Sequence, residues 1–136
     1  MRQLYVALML VSAACSIAVA ADDTYLADAI RNPSYFRALT NLLKEYRDLP
    51  RWTKQVLETS GDYVGGTAIY STVDGTKYEL FHTCKAHDCS DNQLEVMFSP
   101  NGTQVWGAIM ESGKSITYLG APSPAQQSAL KAALQR

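Results

Sequence analysis

The chain has few histidines, few cysteines and no excess of either charge, and these shortages exclude several classes of protein. Twelve basic and thirteen acidic residues give a net charge of −1. Without a basic stripe interleaved with aromatic residues, the sequence gives no electrostatic reason to bind nucleic acid. The two histidines, His82 and His87, belong to no His-Glu-x-x-His pair, and no Gly-x-Ser-x-Gly elbow is present. We therefore expect a protein that is not an enzyme.

The first twenty residues predict a cleaved secretory signal peptide. Arg2 precedes an apolar stretch from Leu4 to Val19, and Ala18-Val19-Ala20 is a small-x-small cleavage site. The stretch is short for a membrane anchor and lacks a stop-transfer flank, so we expect no membrane segment after cleavage. Residues 21–136 are then of the length expected for a single domain.

The two cysteines that remain after cleavage, Cys84 and Cys89, are expected to form a disulfide, since exported proteins fold in an oxidising compartment. The bond would close a tight ring around Lys85, Ala86, His87 and Asp88. Because a rigid loop loses less entropy when it docks, this ring is a candidate binding element.

Helical and then strand-like periodicity predicts an α+β fold. Asn32-Pro33 is a helix start signal, the apolar residues from Tyr35 to Tyr46 recur at helical spacing, and Leu49-Pro50 ends the helix. Ser123 opens a capping box for a C-terminal helix that extends to Leu134. Between the helices, alternation predicts a five-stranded antiparallel meander with helices packed on one face, its strands at residues 67–72, 78–83, 93–98, 105–109 and 116–118.

Three other interpretations of the cysteine loop stay open on the residues alone. A zinc site would use Cys84, His87 and Cys89 with His82 or Asp88, but structural zinc favours two separated pairs of ligands, and no second cluster exists. A redox centre typically has two residues between its cysteines, whereas four stand here. The third interpretation is an envelope-binding module whose stapled hairpin is incidental.

The loop also carries a resemblance to a known family. Cys84-Lys85-Ala86-His87-Asp88-Cys89 resembles the Cys-Lys-Pro-His-Asp-Cys hallmark of the inhibitor of vertebrate lysozyme family of bacterial periplasmic proteins, with five of six residues unchanged. Leu49-Pro50-Arg51-Trp52 is similar to the family's Leu-Pro-x-Trp segment. The strands Tyr78 to Thr83 and Leu94 to Ser99 also look like their counterparts. The likeness covers roughly residues 25–120 and is densest over residues 76–107.

This resemblance implies a periplasmic protein, without cofactor or metal, that inserts the loop into the active-site cleft of a c-type lysozyme. It implies that Cys84 and Cys89 form the disulfide of the loop and that His87 meets the catalytic carboxylates. Asp88 is expected to hydrogen-bond within the loop, and Lys85 to face an acidic rim. The family also includes homodimers.

Ala86 departs from the family pattern, which has proline at this position. Loss of the fixed proline φ is expected to soften the loop by about 0.4–1 kcal/mol. The change favours either a lower affinity for the animal enzyme or a different target. Lytic transglycosylases, which cleave the bacterium's own wall and offer a similar cleft with one catalytic acid, are the alternative partner.

Overall fold

The computed structural model describes residues 24–58 and 60–134. The predicted signal peptide, residues 1–20, lies outside the described residues. Within the described part of the chain, no helix is both long enough and apolar enough to span a bilayer.

Of the helices that precede the sheet, α2 (Pro33–Glu45) begins at the predicted signal but ends at Glu45, ahead of the predicted stop at Leu49-Pro50. Helix α2 follows Asn32, whose side chain accepts a hydrogen bond from the Ser34 N–H at 3.0 Å, and Pro33 occupies its first turn. Its apolar stripe buries Leu39, Leu42 and Leu43. The four helical segments are α1 (Leu26–Ala29), α2 (Pro33–Glu45), α3 (Arg51–Lys54) and a 3-10 turn (Gln55–Leu57).

The described residues form an antiparallel sheet in which the predicted meander is present. Its strands are β1 (Tyr63–Gly65), β2 (Ile69–Val73), β3 (Thr76–Lys85), β4 (Gln93–Phe98), β5 (Val105–Met110) and β6 (Ile116–Leu119). Strand β1 was not among the five expected strands. The ten-residue strand β3 is long enough for β2 to pair with its first half and β1 with its second half. A three-residue strand is too short to show an alternating pattern in the sequence.

Helices cover both faces of the sheet rather than the single face expected, although the α+β class and the antiparallel sheet are confirmed. On one face, Leu94, Val96 and Phe98 pack under the helices of the N-terminal third. On the other face, Leu80 and Met97 pack under helix α4 (Pro124–Leu134). Gln93 and Glu95 alternate with the apolar residues of β4 on the same side as Met97, and they gave this second face a polar appearance in the sequence.

Within the described residues, His82 and Glu95 form a polar pair on the second face of the sheet. His82 Nδ1 lies 2.9 Å from Glu95 Oε2, and the Glu95 side chain is fully buried. The two residues are direct cross-strand neighbours in the pairing of β3 with β4. His82 is therefore engaged by a buried glutamate within the sheet.

The turn between β4 and β5 supplies a test of the packing between helix α2 and the sheet. Gly102 has a φ of 69°, and a Cβ added there would overlap the ring of Tyr35, which itself stacks on Phe98 at 4.7 Å. We expect Gly102→Ala to lower the free energy of unfolding by about 2–4 kcal/mol, since backbone strain and overpacking add. Urea unfolding measures the change.

The matched control is Gly75→Ala, at a turn with a similar φ of 79° but no atom within 4 Å of the added Cβ. This variant should lose only about 1 kcal/mol, the part due to backbone conformation. Equal losses in the two variants would contradict the proposed overlap with Tyr35.

Candidate binding loop

Three chain segments meet at one end of the sheet. The cysteine loop joins the end of β3 to the start of β4, and the antiparallel pairing brings the turn between β5 and β6 beside it, because Gln93 pairs with Met110. The chain that enters β1 lies on the other side, because Tyr63 pairs with Lys85. The loop is therefore supported from both sides by segments distant in the sequence.

The predicted disulfide is present between Cys84 and Cys89, whose Cα atoms lie 4.9 Å apart. Cys84 is a buried residue of β3, while Cys89 lies in the turn that follows. The bond therefore ties the returning part of the loop to a fixed strand. Closing so small a ring is worth roughly 2 kcal/mol through the entropy of the unfolded chain.

The residues inside the ring form a type II β-turn. The Asp88 N–H donates to the Lys85 carbonyl at 3.0 Å. His87, the third residue of the turn, has a φ of 64°, while the φ of Ala86 is negative. A type II turn requires this combination and favours proline at the second position, which is the position of Ala86. A histidine held at positive φ stores a small amount of backbone strain, a feature that clusters at functional sites.

His87 is the exposed member of the four-residue turn, and Lys85, Ala86 and Asp88 are half-buried. Its imidazole makes no hydrogen bond to any described residue. The ring nitrogens at the loop tip are thus open to a partner.

Asp88 is fixed within the loop, as its predicted role requires. Its Oδ2 accepts a hydrogen bond from Asn92 Nδ2 at 2.7 Å, and its carbonyl accepts from the Asn92 N–H at 3.1 Å. Asn92 in turn accepts at Oδ1 from the Ser112 N–H, and Gln93 Nε2 donates to the Cys89 carbonyl at 2.7 Å. These bonds link the loop to the turn between β5 and β6.

A second tether runs from the loop to the segment before β1. The Ala86 N–H donates to the Asp62 carbonyl at 3.1 Å, and the Asp62 N–H donates to Gln55 Oε1 at 2.9 Å. Proline at position 86 could not make the first bond. This hydrogen bond therefore restrains residue 86, the position at which the family pattern has proline with its fixed φ.

The surface beside the loop contains an open cleft of about 450 Å³, which we call the side cleft. Next to it, burial raises the pKa of Tyr63 above its ordinary value of 10.0, and the Glu58 carboxylate adds to the effect. The neutral phenol donates a hydrogen bond to the Glu58 carbonyl at 3.0 Å. The residues that line the side cleft are Pro50, Arg51, Trp52, Gln55, Asp62 and Lys85.

The alternatives of zinc and thiol chemistry find little support in the loop. The disulfide leaves neither sulfur as a thiolate, the form that binds metal or attacks a disulfide. His82 faces Glu95 inside the sheet rather than the loop tip. Among the described residues, no group of three histidine, cysteine, aspartate or glutamate side chains could hold a metal ion.

The supporting residues were not predicted from the sequence. Asn92 and Gln93 do follow the second cysteine directly, and two polar amides at the start of a buried strand are a signal that could have pointed to them. Asp62 and Gln55 had no such signal, since Asp62 acts through its backbone atoms and the loop lies more than twenty residues away.

The loop is a disulfide-closed tip with one exposed imidazole, an arrangement typical of the class of proteins that bind a partner through a rigid loop. The comparison with known families is consistent with this class. Residues 34–136 match the family described as "Inhibitor of vertebrate lysozyme (Ivy)". The chain belongs to this family of lysozyme inhibitors.

Three relatives illustrate the range of the similarity. An uncharacterized protein of Yersinia pestis is 30% identical over 82% of this chain and 77% of the relative. An uncharacterized protein of Pseudomonas aeruginosa is 31% identical over 96% of this chain and 91% of the relative. A third protein, named inhibitor of vertebrate lysozyme, is also from P. aeruginosa and is 29% identical over 66% of this chain and 56% of its own length.

Replacing Ala86 with proline compares two restraints on the loop, the hydrogen bond to Asp62 and the fixed φ of proline. The variant loses the hydrogen bond to Asp62, worth about 0.5–1.5 kcal/mol, and gains about 0.4–1 kcal/mol from a restricted unfolded chain. Lys85 is extended and the φ of Ala86 is negative, so the backbone at position 86 accepts the pyrrolidine ring of proline. We expect the free energy of unfolding to change by less than about 1 kcal/mol.

The companion variant Ala86→Gly keeps the N–H but loosens the unfolded chain, and should cost about 0.4–1 kcal/mol. Thermal and urea unfolding of both variants give the comparison. A loss above about 3 kcal/mol in Ala86→Pro would mean that the type II turn does not accept proline here.

Proposed function

We propose that the exported chain, residues 21–136, is a periplasmic, non-enzymatic inhibitor that inserts the Cys84–Cys89 loop into the active-site cleft of a c-type lysozyme. The observation that carries the proposal is the exposed imidazole of His87 at the tip of a turn fixed by a disulfide and by hydrogen bonds. The protein partner is lysozyme, and the mechanism uses no cofactor or metal.

The chemistry of the target explains why histidine suits the tip. A retaining glycosidase holds two carboxyl groups about 5 Å apart, one protonated as the acid and one ionised. A neutral imidazole has one donor and one acceptor nitrogen. His87 can therefore accept from the acid and donate to the carboxylate at the same time, in the space that the scissile bond would occupy.

The stiffness of the loop favours binding because little conformational freedom remains to be lost. Ordering a flexible side chain or loop on association costs about 0.5–1.5 kcal/mol for each rotamer-rich side chain. Here the disulfide, the turn and the bonds to Asn92 and Asp62 order the backbone before the partner arrives.

The other loop residues have supporting roles in the proposal. Asp88 would repel the carboxylates of the target if it pointed at them, and its bond to Asn92 keeps it in the loop instead. Lys85 stands at the base of the loop and would face the rim of the target cleft, where an exposed ion pair adds little. Ala86 supplies the backbone tether.

Substitution of His87 tests the proposal. His87→Ala should raise the inhibition constant for a c-type lysozyme by at least about tenfold, because central contact residues typically contribute this much. His87→Asn, which also tolerates positive φ, should weaken inhibition similarly and so separate the imidazole from the backbone conformation. Lysis of cell-wall suspensions measures inhibition.

Ser90→Ala is the matched control, since Ser90 is exposed in the same loop and its side chain makes no hydrogen bond to any described residue. It should leave inhibition unchanged. An unchanged inhibition constant in both His87 variants would remove His87 from the mechanism.

A second candidate target is a lytic transglycosylase of the cell wall, favoured by the substitution of alanine for the family proline at position 86. The same lysis assay with such an enzyme decides between the targets. Failure of the wild-type protein to inhibit either enzyme at micromolar concentration would favour the envelope-binding module instead.

A further inference from the structure

The side cleft lies directly next to the loop and combines hydrogen-bond donors that have no acceptor. Trp52 lines the cleft although its side chain is only 5% exposed, so it forms the floor. Its indole Nε1 is buried and has no hydrogen-bond partner among the described residues. Because this nitrogen has no accessible surface, the Trp52 ring serves as the floor of the cleft, and the charged residues around it supply the polar contacts.

The charges around this floor favour an anionic acceptor. Arg51 and Lys85 each contribute a positive charge and Asp62 one negative charge, so the lining has a net charge of +1 (two positive, one negative). None of the three forms an ion pair within the described part of the chain. The Asp62 backbone and Gln55 Oε1 are already bonded to each other, which fixes the wall between Trp52 and the loop.

We propose that the side cleft binds a carboxylate group, held by the Arg51 guanidinium and the Lys85 ammonium above the ring of Trp52. A guanidinium fork matches the two oxygens of a carboxylate, and hydrogen bonds to a charged group are stronger than neutral ones. The occupant in the complex is an acidic side chain of the inhibited enzyme, on the rim beside its active site.

The assignment of that occupant follows from the continuity of the two surfaces. Lys85 belongs to both the loop and the cleft, and the Ala86 N–H is bonded to Asp62, a lining residue. A partner that surrounds the loop must therefore cover the cleft. The identity of the partner rests on the proposed function, whereas carboxylate binding by the cleft does not.

The first experiment observes the cleft without any enzyme. The chain has two tryptophans, so nitrogen-15 labelling gives two indole N–H signals, and Trp106, which packs on the opposite face of the sheet from Trp52, serves as an internal reference. Sodium acetate should shift the Trp52 signal saturably and leave Trp106 in place. Sodium chloride at equal ionic strength should do neither.

Arg51→Gln should weaken acetate binding by at least about fivefold, while Arg37→Gln, an equally exposed arginine on helix α2, should not change it. A Trp52 signal that does not respond to acetate, or that responds equally to chloride, would overturn the proposed carboxylate site.

The second experiment adds the enzyme. Arg51→Glu should raise the inhibition constant for a c-type lysozyme by about fivefold or more at low salt, and less at high salt, whereas Arg37→Glu should change it less than about twofold. Equal effects of the two reversals would overturn the enzyme's carboxylate as the occupant. If the wild-type chain does not inhibit, the proposed function fails, and the acetate titration still decides whether the cleft binds a carboxylate.

Discussion

The antiparallel pairing of β3 with β4 determines the position of the loop and of everything that supports it. Cys84 pairs with Gln93, so the ladder ends immediately before the ring and the chain must return within eight residues, 85–92. The same register brings the end of β5 next to Gln93 and the start of β1 next to Lys85. The burial of Leu94, Val96 and Phe98 holds this register, since a shift by one residue would turn them to the opposite face.

Rigidity of the loop comes from several weak constraints of different kinds rather than from the disulfide alone. The disulfide lowers the conformational entropy of the unfolded chain, and the type II turn sets the direction of His87. The hydrogen bonds of Asn92 and Asp62 fix the base of the loop on two sides. These constraints act on different atoms. At position 86, where the family pattern has proline, the alanine N–H instead makes a hydrogen bond to the Asp62 carbonyl.

The features best predicted from the sequence are those that depend on the burial or bonding of side chains. The stripe of helix α2, the alternation in the longer strands and the pair of cysteines all bury or join side chains, so the α+β class and the disulfide were predictable. Strand β1 could not be predicted, because it has only three residues, the last of which is Gly65, and because its pairing depends on the length of β3. Helix α4 was expected on the same face as the others because Gln93 and Glu95 share a side of β4 with Met97 and made that side look polar. The tether through Asp62 uses its backbone carbonyl, which every residue type has, so the identity of residue 62 does not reveal it.

The positive φ of His87 has a consequence for the evolution of the loop. The position accepts few residue types at low cost, chiefly glycine, followed by asparagine, aspartate and histidine. Against the pair of carboxyl groups in the proposed target, aspartate would add a like charge, glycine would offer no ring, and asparagine would fall short of the reach of an imidazole. Backbone geometry and the chemistry of the proposed partner therefore restrict this position independently, and histidine satisfies both.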